Sequence, residues 1–172
     1  MNQTVETVFP DIAIPSPTYS VAQAPDKDIY IGTESNGLYI YSENWKLKKH
    51  VPIDGIIATI LPDNNGDIWL GLDETGICLF NKNKQTFTWL HKDNTNLNNN
   101  SIRTFVSYGD SSILVGTFRG LNILNKKELT ITPANINIAG KGGLSHYSIH
   151  SMLIDKDQTL WIGTYSAGVE LS

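Results

Sequence analysis

Ile68–Leu72, with the sequence IWLGL, is the clearest of four copies of a short pattern in which an apolar run contains a glycine near its end. The other copies are Ile29–Thr33, Ile113–Thr117 and Leu160–Thr164. The glycines recur at intervals of 39, 45 and 47 residues, at Gly32, Gly71, Gly116 and Gly163. A period of about 40–50 residues with strand-forming rather than helical content is typical of the blades of a β-propeller.

The second repeat predicts the strands of one blade. Residues 56–61 and 68–71 are apolar runs, separated by a turn-forming segment at 62–67 that contains an Asn-Gly pair. Residues 77–80 form a third apolar run, and residues 86–90 alternate as a half-exposed outer strand should. Because four antiparallel strands joined by short turns make one blade, the sequence predicts an all-β fold of about four four-stranded blades with almost no helix.

The repeats divide the chain from residue 19 onward. The predicted boundaries are 19–55 for blade 1, 56–100 for blade 2, 101–147 for blade 3 and 148–172 for an incomplete blade 4. The last strand is predicted at Trp45–Lys49 in blade 1 and at Leu129–Ile131 in blade 3, where an extended loop at Asn135–Gly143 follows.

Residues 1–18 contain Val5–Phe9, which is predicted as an outer strand of a preceding or closing blade. Two alternatives follow. Val5–Phe9 completes blade 4 and closes a four-blade ring, or the chain is part of a larger propeller with an open blade face on each side. Because the sequence ends within a repeat and begins with a spare strand, the second alternative is preferred.

Composition excludes several classes of protein. The net charge of −4 and the pI of about 5.5 argue against a general nucleic-acid surface, which would be basic. The sequence has no apolar run of 18 residues that would predict a membrane span, and its start lacks the pattern of a signal peptide. A single cysteine, Cys78, excludes an internal disulfide.

The segment Asp63–Gly71 followed by Gly76 and Ile77, and the segment Asp155–Thr164, resemble the two-component regulator propeller repeat. The polar, Asn-rich connection at 91–102 is similar to the linkers between such repeats. The resemblance extends over about residues 19–172, although Tyr30 and Leu114 stand where the family has tryptophan.

The resemblance implies a periplasmic sensor region from a large histidine kinase, in a hybrid two-component system of the Bacteroides type that senses carbohydrates. It implies that the remaining blades of the parent protein are partners of this segment. Nothing in the sequence matches a histidine kinase, a receiver or a DNA-binding domain, so the segment is predicted to be non-catalytic.

The repeated aromatic residues suggest two alternatives. Trp69, Trp161 and Tyr30 lie two positions before the strand glycines, where they are either a sugar-stacking platform or packing between adjacent blades. A repeated aromatic inside an apolar strand favours packing, so Trp69 and Trp161 are predicted to be buried between blades. Gly71 and its equivalents are predicted to allow close approach of neighbouring blades.

No metal or cofactor is predicted. The run of acidic and amide residues at 63–67 resembles the start of a calcium loop, but Ile68 stands at the sixth position, where such loops need glycine, so a hairpin turn is preferred. His146 and His150 would lie ~13 Å apart along a strand at 3.3 Å per residue, too far for a zinc pair. Cys78 is interpreted as a packing or edge residue.

A candidate ligand site comes from counting thirteen residues back from each strand glycine. This gives Arg103 in blade 3, His150 in blade 4 and Ala58 in blade 2, with Tyr19 as the approximate equivalent in blade 1. The turns after the second strands share the same face and add polar and aromatic groups, namely Glu34, Asp73, Glu74, Phe118, Arg119, Tyr165 and Ser166. The predicted ligand-binding residues at this channel mouth are Arg103, Arg119, Phe118, His150 and Tyr165, and an ordinary solvated rim is the alternative.

Two function classes remain open. The first is a ligand-sensing module with an oligosaccharide as its signal; the second is a scaffold that binds protein, without a small-molecule ligand, through its rim or open edges. Association of identical chains through the open blade edges is also expected. No contact of this segment with nucleic acid or membrane is expected, and no nucleophile, base and oxyanion set indicates an enzyme.

Overall fold

The computed structural model describes residues 13–134, 144, 146–166 and 168–171, and within them the chain folds into fifteen β-strands and no helix. The strands form four antiparallel sheets, three with four strands and one with three, and in each sheet the strands follow chain order. This confirms the all-β blades that the repeats predict. No described segment forms a helix long and apolar enough to cross a membrane.

Each sheet is one blade. Blade 1 contains β1 (Thr18–Gln23), β2 (Ile29–Thr33), β3 (Leu38–Tyr41) and β4 (Leu47–Val51). Blade 2 contains β5 (Ile57–Pro62), β6 (Asp67–Leu72), β7 (Gly76–Asn81) and β8 (Thr86–Leu90). Blade 3 contains β9 (Ile102–Tyr108), β10 (Ser112–Thr117), β11 (Gly120–Asn125) and β12 (Ile131–Pro133). Blade 4 contains β13 (Ile149–Ile154), β14 (Leu160–Thr164) and β15 (Gly168–Leu171).

Two outer strands begin two residues later than predicted. The strand predicted at Trp45–Lys49 is Leu47–Val51, and the strand predicted at Leu129–Ile131 is Ile131–Pro133. In each case the first predicted residue has a positive φ, 60° at Trp45 and 55° at Leu129. Because that conformation belongs to turns and not to extended backbone, both residues end the preceding turn. Val5–Phe9 and the loop predicted at Asn135–Gly143 lie outside the described residues.

Neighbouring blades pack through their first strands. In blade 2, β5 lies against β1 and β2 of blade 1, and β9 and β13 repeat this contact with blades 2 and 3. Three clusters of buried apolar side chains fill the interfaces. Among the described residues, β1 and β13 do not form a comparable contact.

The strand glycines give neighbouring blades room to approach, as predicted. A Cβ atom added at Gly71 would lie 2.5 Å from Cγ2 of Ile102, the first residue of the next blade's inner strand. The corresponding distance is 2.6 Å from Gly32 to Ile57 and 2.7 Å from Gly116 to Ile149. Real Cβ atoms are essentially never this close to another heavy atom, so a side chain at these positions would push the blades apart.

The two tryptophans at equivalent positions have different environments. Trp69 is 1% exposed in the cluster between blades 2 and 3, as predicted. The prediction that Trp161 is buried is wrong, because its side chain is 39% exposed. No described strand packs over that face of blade 4, and the Trp161 indole N–H instead donates to Oδ2 of Asp155 at 2.6 Å.

Candidate functional site

A β-bulge recurs at the same place in the inner strand of every blade. The strand register shifts between Thr18 and Ser20, between Ile57 and Thr59, and between Ile149 and Ser151. In blade 3 the same shift lies opposite Gly116 and Thr117. The extra residues, here called the bulge positions, are Tyr19, Ala58, Arg103 and His150. Bulges re-aim side chains and often lie beside functional sites, and these four are the positions that the repeat count selects.

Arg103 joins blade 3 to blade 2. Its Nη1 lies 3.4 Å from Oδ2 of Asp73, in the turn between β6 and β7 of the preceding blade. The guanidinium also lies 5.9 Å from the centre of the Phe118 ring, in the β10–β11 turn of its own blade. A cation at this distance is attracted by the face of an aromatic ring. The structure therefore brings together two of the predicted site residues and adds Asp73 as a charged partner.

The Arg103–Asp73 pair contains two polar atoms that form no hydrogen bond with the described residues. Nε of Arg103 and Oδ1 of Asp73 are buried atoms without a hydrogen-bond partner among the described residues. Buried polar atoms are nearly always paired with protein, water or ligand. Both atoms are closed to solvent, so a new partner can reach them only if the Arg103 or Asp73 side chain moves.

His150 and Tyr165 form the second pair of predicted residues. Their rings stack with 5.5 Å between centres, and the His146 ring lies 6.4 Å from that of Tyr165. The backbone N–H of Ser148 donates to Nδ1 of His146 at 3.1 Å, which orients that ring. The Tyr165 side chain is 75% exposed, so this cluster presents an aromatic ring to solvent.

The turns that carry Phe118 and Tyr165 are held by a threonine at the end of the second strand. The Thr117 hydroxyl donates to the carbonyl oxygen of Gly120 at 2.9 Å, and the Thr164 hydroxyl donates to that of Gly168 at 3.3 Å. Gly120 has a φ of +117°, a conformation that side chains rarely adopt. In blades 3 and 4 the repeat thus builds a threonine-held tight turn beside the bulge position.

Arg119 is placed differently from the other predicted residues. It is exposed in the β10–β11 turn, and its backbone carbonyl accepts a hydrogen bond from Nδ2 of Asn98 at 3.1 Å. No described residue pairs with its guanidinium, so the structure does not join it to the Arg103 or His150 pairs. Sequence reasoning missed the support from Asn98 and the ring contact of His146, although the four-residue spacing to His150 was visible.

The acidic hairpin in blade 2 has partners that account for its side chains. Asp63 forms an ion pair with Lys126 at 3.0 Å, and Asp67 accepts hydrogen bonds from Asn65 and Asn81 at 2.7 and 2.6 Å. The backbone N–H of Asp63 donates to the carbonyl oxygen of Asp67 at 2.8 Å and closes the hairpin. The interpretation as a turn is confirmed, and the described residues include no cluster of metal ligands.

Cys78 is a packing residue, as interpreted from the sequence. It is fully buried in the interface between blades 1 and 2, and burial raises the pKa of its thiol to about 12. Because only the thiolate is a good nucleophile, the folded protein is expected to resist alkylation by iodoacetamide at pH 8. Mass spectrometry should find the cysteine modified in urea-unfolded protein only; rapid labelling of the native protein would contradict this packing.

Antiparallel blades packed through their inner strands define the class of this protein, a β-propeller. Residues 143–166 match the profile of the two component regulator propeller, which confirms the resemblance of the repeat. No curated protein matches the chain.

Solved structures show the same fold. The chain is 29% identical to an extracellular domain assigned to the hybrid two-component system BT3049 of B. thetaiotaomicron, with a TM-score of 0.66 over 90% of this chain and 20% of that one. A second extracellular domain from that organism, of BT4673, is 23% identical, with a TM-score of 0.70 over 90% of this chain and 21% of the other. The computationally designed Ika4 protein is 12% identical, with a TM-score of 0.68 over 100% of this chain and 98% of the design. The chain therefore spans about a fifth of the two bacterial structures.

Proposed function

We propose that these blades are a non-catalytic, periplasmic ligand-sensing segment of a two-component sensor histidine kinase, and that the ligand is an oligosaccharide. The repeat match and the 29% identity to an extracellular two-component domain support the sensing role. The observation that supports the site is the bulge at one position in all four inner strands, where Arg103 and His150 each lie beside an exposed aromatic ring.

The chemistry of this rim suits a sugar. Phe118 and Tyr165 offer exposed ring faces for stacking, and the arginines offer donors in a fork that matches carboxylate or sulfate groups. Arg103 already faces Asp73 at 3.4 Å, a loose ion pair. An acidic group on the ligand would compete with Asp73 for that guanidinium.

The rim also suggests how binding could become a signal. The Arg103–Asp73 pair spans the interface of blades 2 and 3, and the His150–Tyr165 pair belongs to blade 4. A ligand held by both pairs would favour one relative position of the blades. A sensor shifts its parent between two states only by binding one of them more tightly, and a site across blade interfaces provides that difference.

The test is calorimetric titration with acidic and neutral oligosaccharides, applied to the chain and to Arg103→Ala, Arg119→Ala and Tyr165→Ala variants. Loss of a stacking ring or of a charged hydrogen bond is expected to weaken binding by roughly 10-fold or more. Tyr108→Ala is the matched control, because Tyr108 is an exposed aromatic at the end of β9 opposite to the bulge position and lines neither candidate site. Unchanged affinity in all three rim variants, or an equal loss in the control, would place the ligand elsewhere.

The second candidate function, a protein-binding scaffold, rests on a groove at the outer edge between blades 1 and 2. The groove has a volume of about 430 Å³ and is lined by Pro52, Ile53, Asp54, Thr75, Phe87 and Trp89. Phe87 and Trp89 lie on the outer strand, where exposed aromatics are common anchors for protein partners. Loss of partner binding in Trp89→Ala, with rim variants unaffected, would favour this candidate.

A further inference from the structure

The turn after the second strand has the same anchor in every blade. Its first residue is Glu34 in blade 1, Asp73 in blade 2, Phe118 in blade 3 and Tyr165 in blade 4. In each blade the backbone N–H of this residue donates to the carbonyl oxygen of the residue just before the inner strand, at 2.9–3.1 Å. These four residues, here called the turn residues, therefore occupy equivalent places beside the bulge positions.

Arg103 lies between two of these turn residues. Its Nη1 is 3.4 Å from Oδ2 of Asp73, the turn residue of the preceding blade. Its guanidinium is 5.9 Å from the ring centre of Phe118, the turn residue of its own blade. The bulge position of blade 3 thus places a cation in a slot bordered by the turn residues of two neighbouring blades.

The interface between blades 1 and 2 repeats this geometry without the arginine. The distance from an added Cβ atom to Cγ2 of the next blade's isoleucine is 2.6 Å at Gly32 and 2.5 Å at Gly71, so both inner strands approach the preceding blade equally closely. Ala58 is the bulge position of blade 2, in the register that Arg103 has in blade 3. Because alanine ends at Cβ and Ala58 is partly exposed, no side chain from the bulge position enters the equivalent slot.

The slot in front of Ala58 has an acidic residue on each side. By the same equivalence its borders are Glu34 from blade 1 and Asp73 from blade 2. The Glu34 carboxylate is partly buried and forms no ion pair with the described residues. Asp73 is held on its other side by Arg103 at 3.4 Å, which is longer than a strong charged hydrogen bond. One carboxylate at the slot is therefore uncompensated, and the negative charge there attracts a cation.

We propose that the slot between Glu34 and Asp73 binds a cationic group of the ligand, and that this group is the ammonium of an amino sugar in an oligosaccharide. The observation that points to a cation is Arg103, whose guanidinium occupies the equivalent slot of the next interface. An ammonium has three donors, so it reaches both carboxylates at once. That the cation belongs to a sugar rests on the proposed function, whereas the preference for a cation rests on the geometry of the slot.

Two matched oligosaccharides test the occupant. Calorimetric titration at mildly acidic pH compares glucosamine oligomers, which are cationic, with neutral N-acetylglucosamine oligomers of the same length. The wild-type chain is expected to bind the cationic oligomers about 10-fold or more tightly, because hydrogen bonds to charged groups are the stronger ones. Glu34→Gln keeps the shape of the side chain and removes its charge, so it should lose most of this preference. Glu128→Gln is the control, because Glu128 is an exposed glutamate in the β11–β12 turn, at the opposite end of the strands.

Ethylguanidinium tests the slot without a sugar, because it has the atoms that an arginine side chain carries beyond Cβ. Titration followed by nuclear magnetic resonance should show binding at Glu34 and Ala58. Glu34→Gln should weaken it, and Ala58→Arg should abolish it by filling the slot from within. Ala58 is partly exposed on a bulge, so this variant is expected to fold, and circular dichroism checks that it does.

The outcomes separate this proposal from the proposed function. Ethylguanidinium binding that depends on Glu34, without binding of either oligosaccharide, would support the cation slot and contradict oligosaccharide sensing. Equal affinity for the two oligosaccharides, unchanged in Glu34→Gln and Ala58→Arg, would overturn the slot and leave the proposed function standing. A chain that binds none of the three molecules would contradict both.

Discussion

Replacing Trp69 with alanine is expected to lower the free energy of unfolding by ~3–5 kcal/mol, the usual cost of truncating a buried tryptophan. Trp69 is 1% exposed and packs between blades 2 and 3. Its indole N–H has no hydrogen-bond partner among the described residues, so packing alone accounts for the stabilisation. The change leaves a cavity at an interface that two sheets share, and rigid strands on both sides limit how far it can close.

Urea unfolding measures this loss of stability, and the equivalent tryptophan of blade 4 provides the control. Trp161→Ala removes the same side chain from the equivalent strand position of blade 4, where the ring is 39% exposed. Its cost is expected to stay below about 1 kcal/mol when measured on dilute, monomeric protein. Similar losses at the two positions would mean that the Trp161 face is covered in solution, and a small loss at Trp69 would contradict its role in packing.

Adding one methyl group at Gly71 is expected to cost about 1–3 kcal/mol, because overpacking a tight interface forces side chains or backbone to move. The alanine Cβ of Gly71→Ala would lie 2.5 Å from Cγ2 of Ile102 and 2.6 Å from Cγ2 of Thr59. Both atoms belong to β-branched side chains in paired strands, which have few alternative rotamers. Relief therefore requires that blades 2 and 3 separate.

Gly163→Ala is the matched control for this substitution. Its Cβ would meet the hydroxyl of Ser151 in the same blade, and that hydroxyl can rotate away. The expected loss is under about 1 kcal/mol in urea unfolding. If Gly163→Ala destabilised the protein as much as Gly71→Ala, contact with the next blade would not be what makes the strand glycine necessary.

The repeat pattern was sufficient for the number of blades and for most of their strands. It failed at two outer strands, because Trp45 and Leu129 are apolar residues that resemble the start of a strand but adopt positive φ at the end of a turn. Turn geometry there is determined by backbone hydrogen bonds, such as the N–H of Leu129 donating to the carbonyl oxygen of Asn125 at 2.9 Å. Side-chain type alone does not reveal such a conformation.

Only part of the candidate site could be predicted from the sequence. Counting from the strand glycines selected Arg103 and His150 because each repeat keeps the same spacing between its first two strands. The ion pair with Asp73 joins residues from different blades, about thirty positions apart. Such a contact depends on how two sheets pack, which no local pattern describes.

Periodicity and turn chemistry alone account for the β-propeller class, the order of the strands within each blade and the spacing of the bulge positions, because each depends on residues close together in the chain. Which equivalent residues are buried is a different matter. Trp69 and Trp161 lie in nearly identical local sequences, as do Gly71 and Gly163, yet only one of each pair contacts a following blade. Burial depends on which strand of another blade packs against the residue, so only the packing of whole blades distinguishes a buried residue from an exposed one.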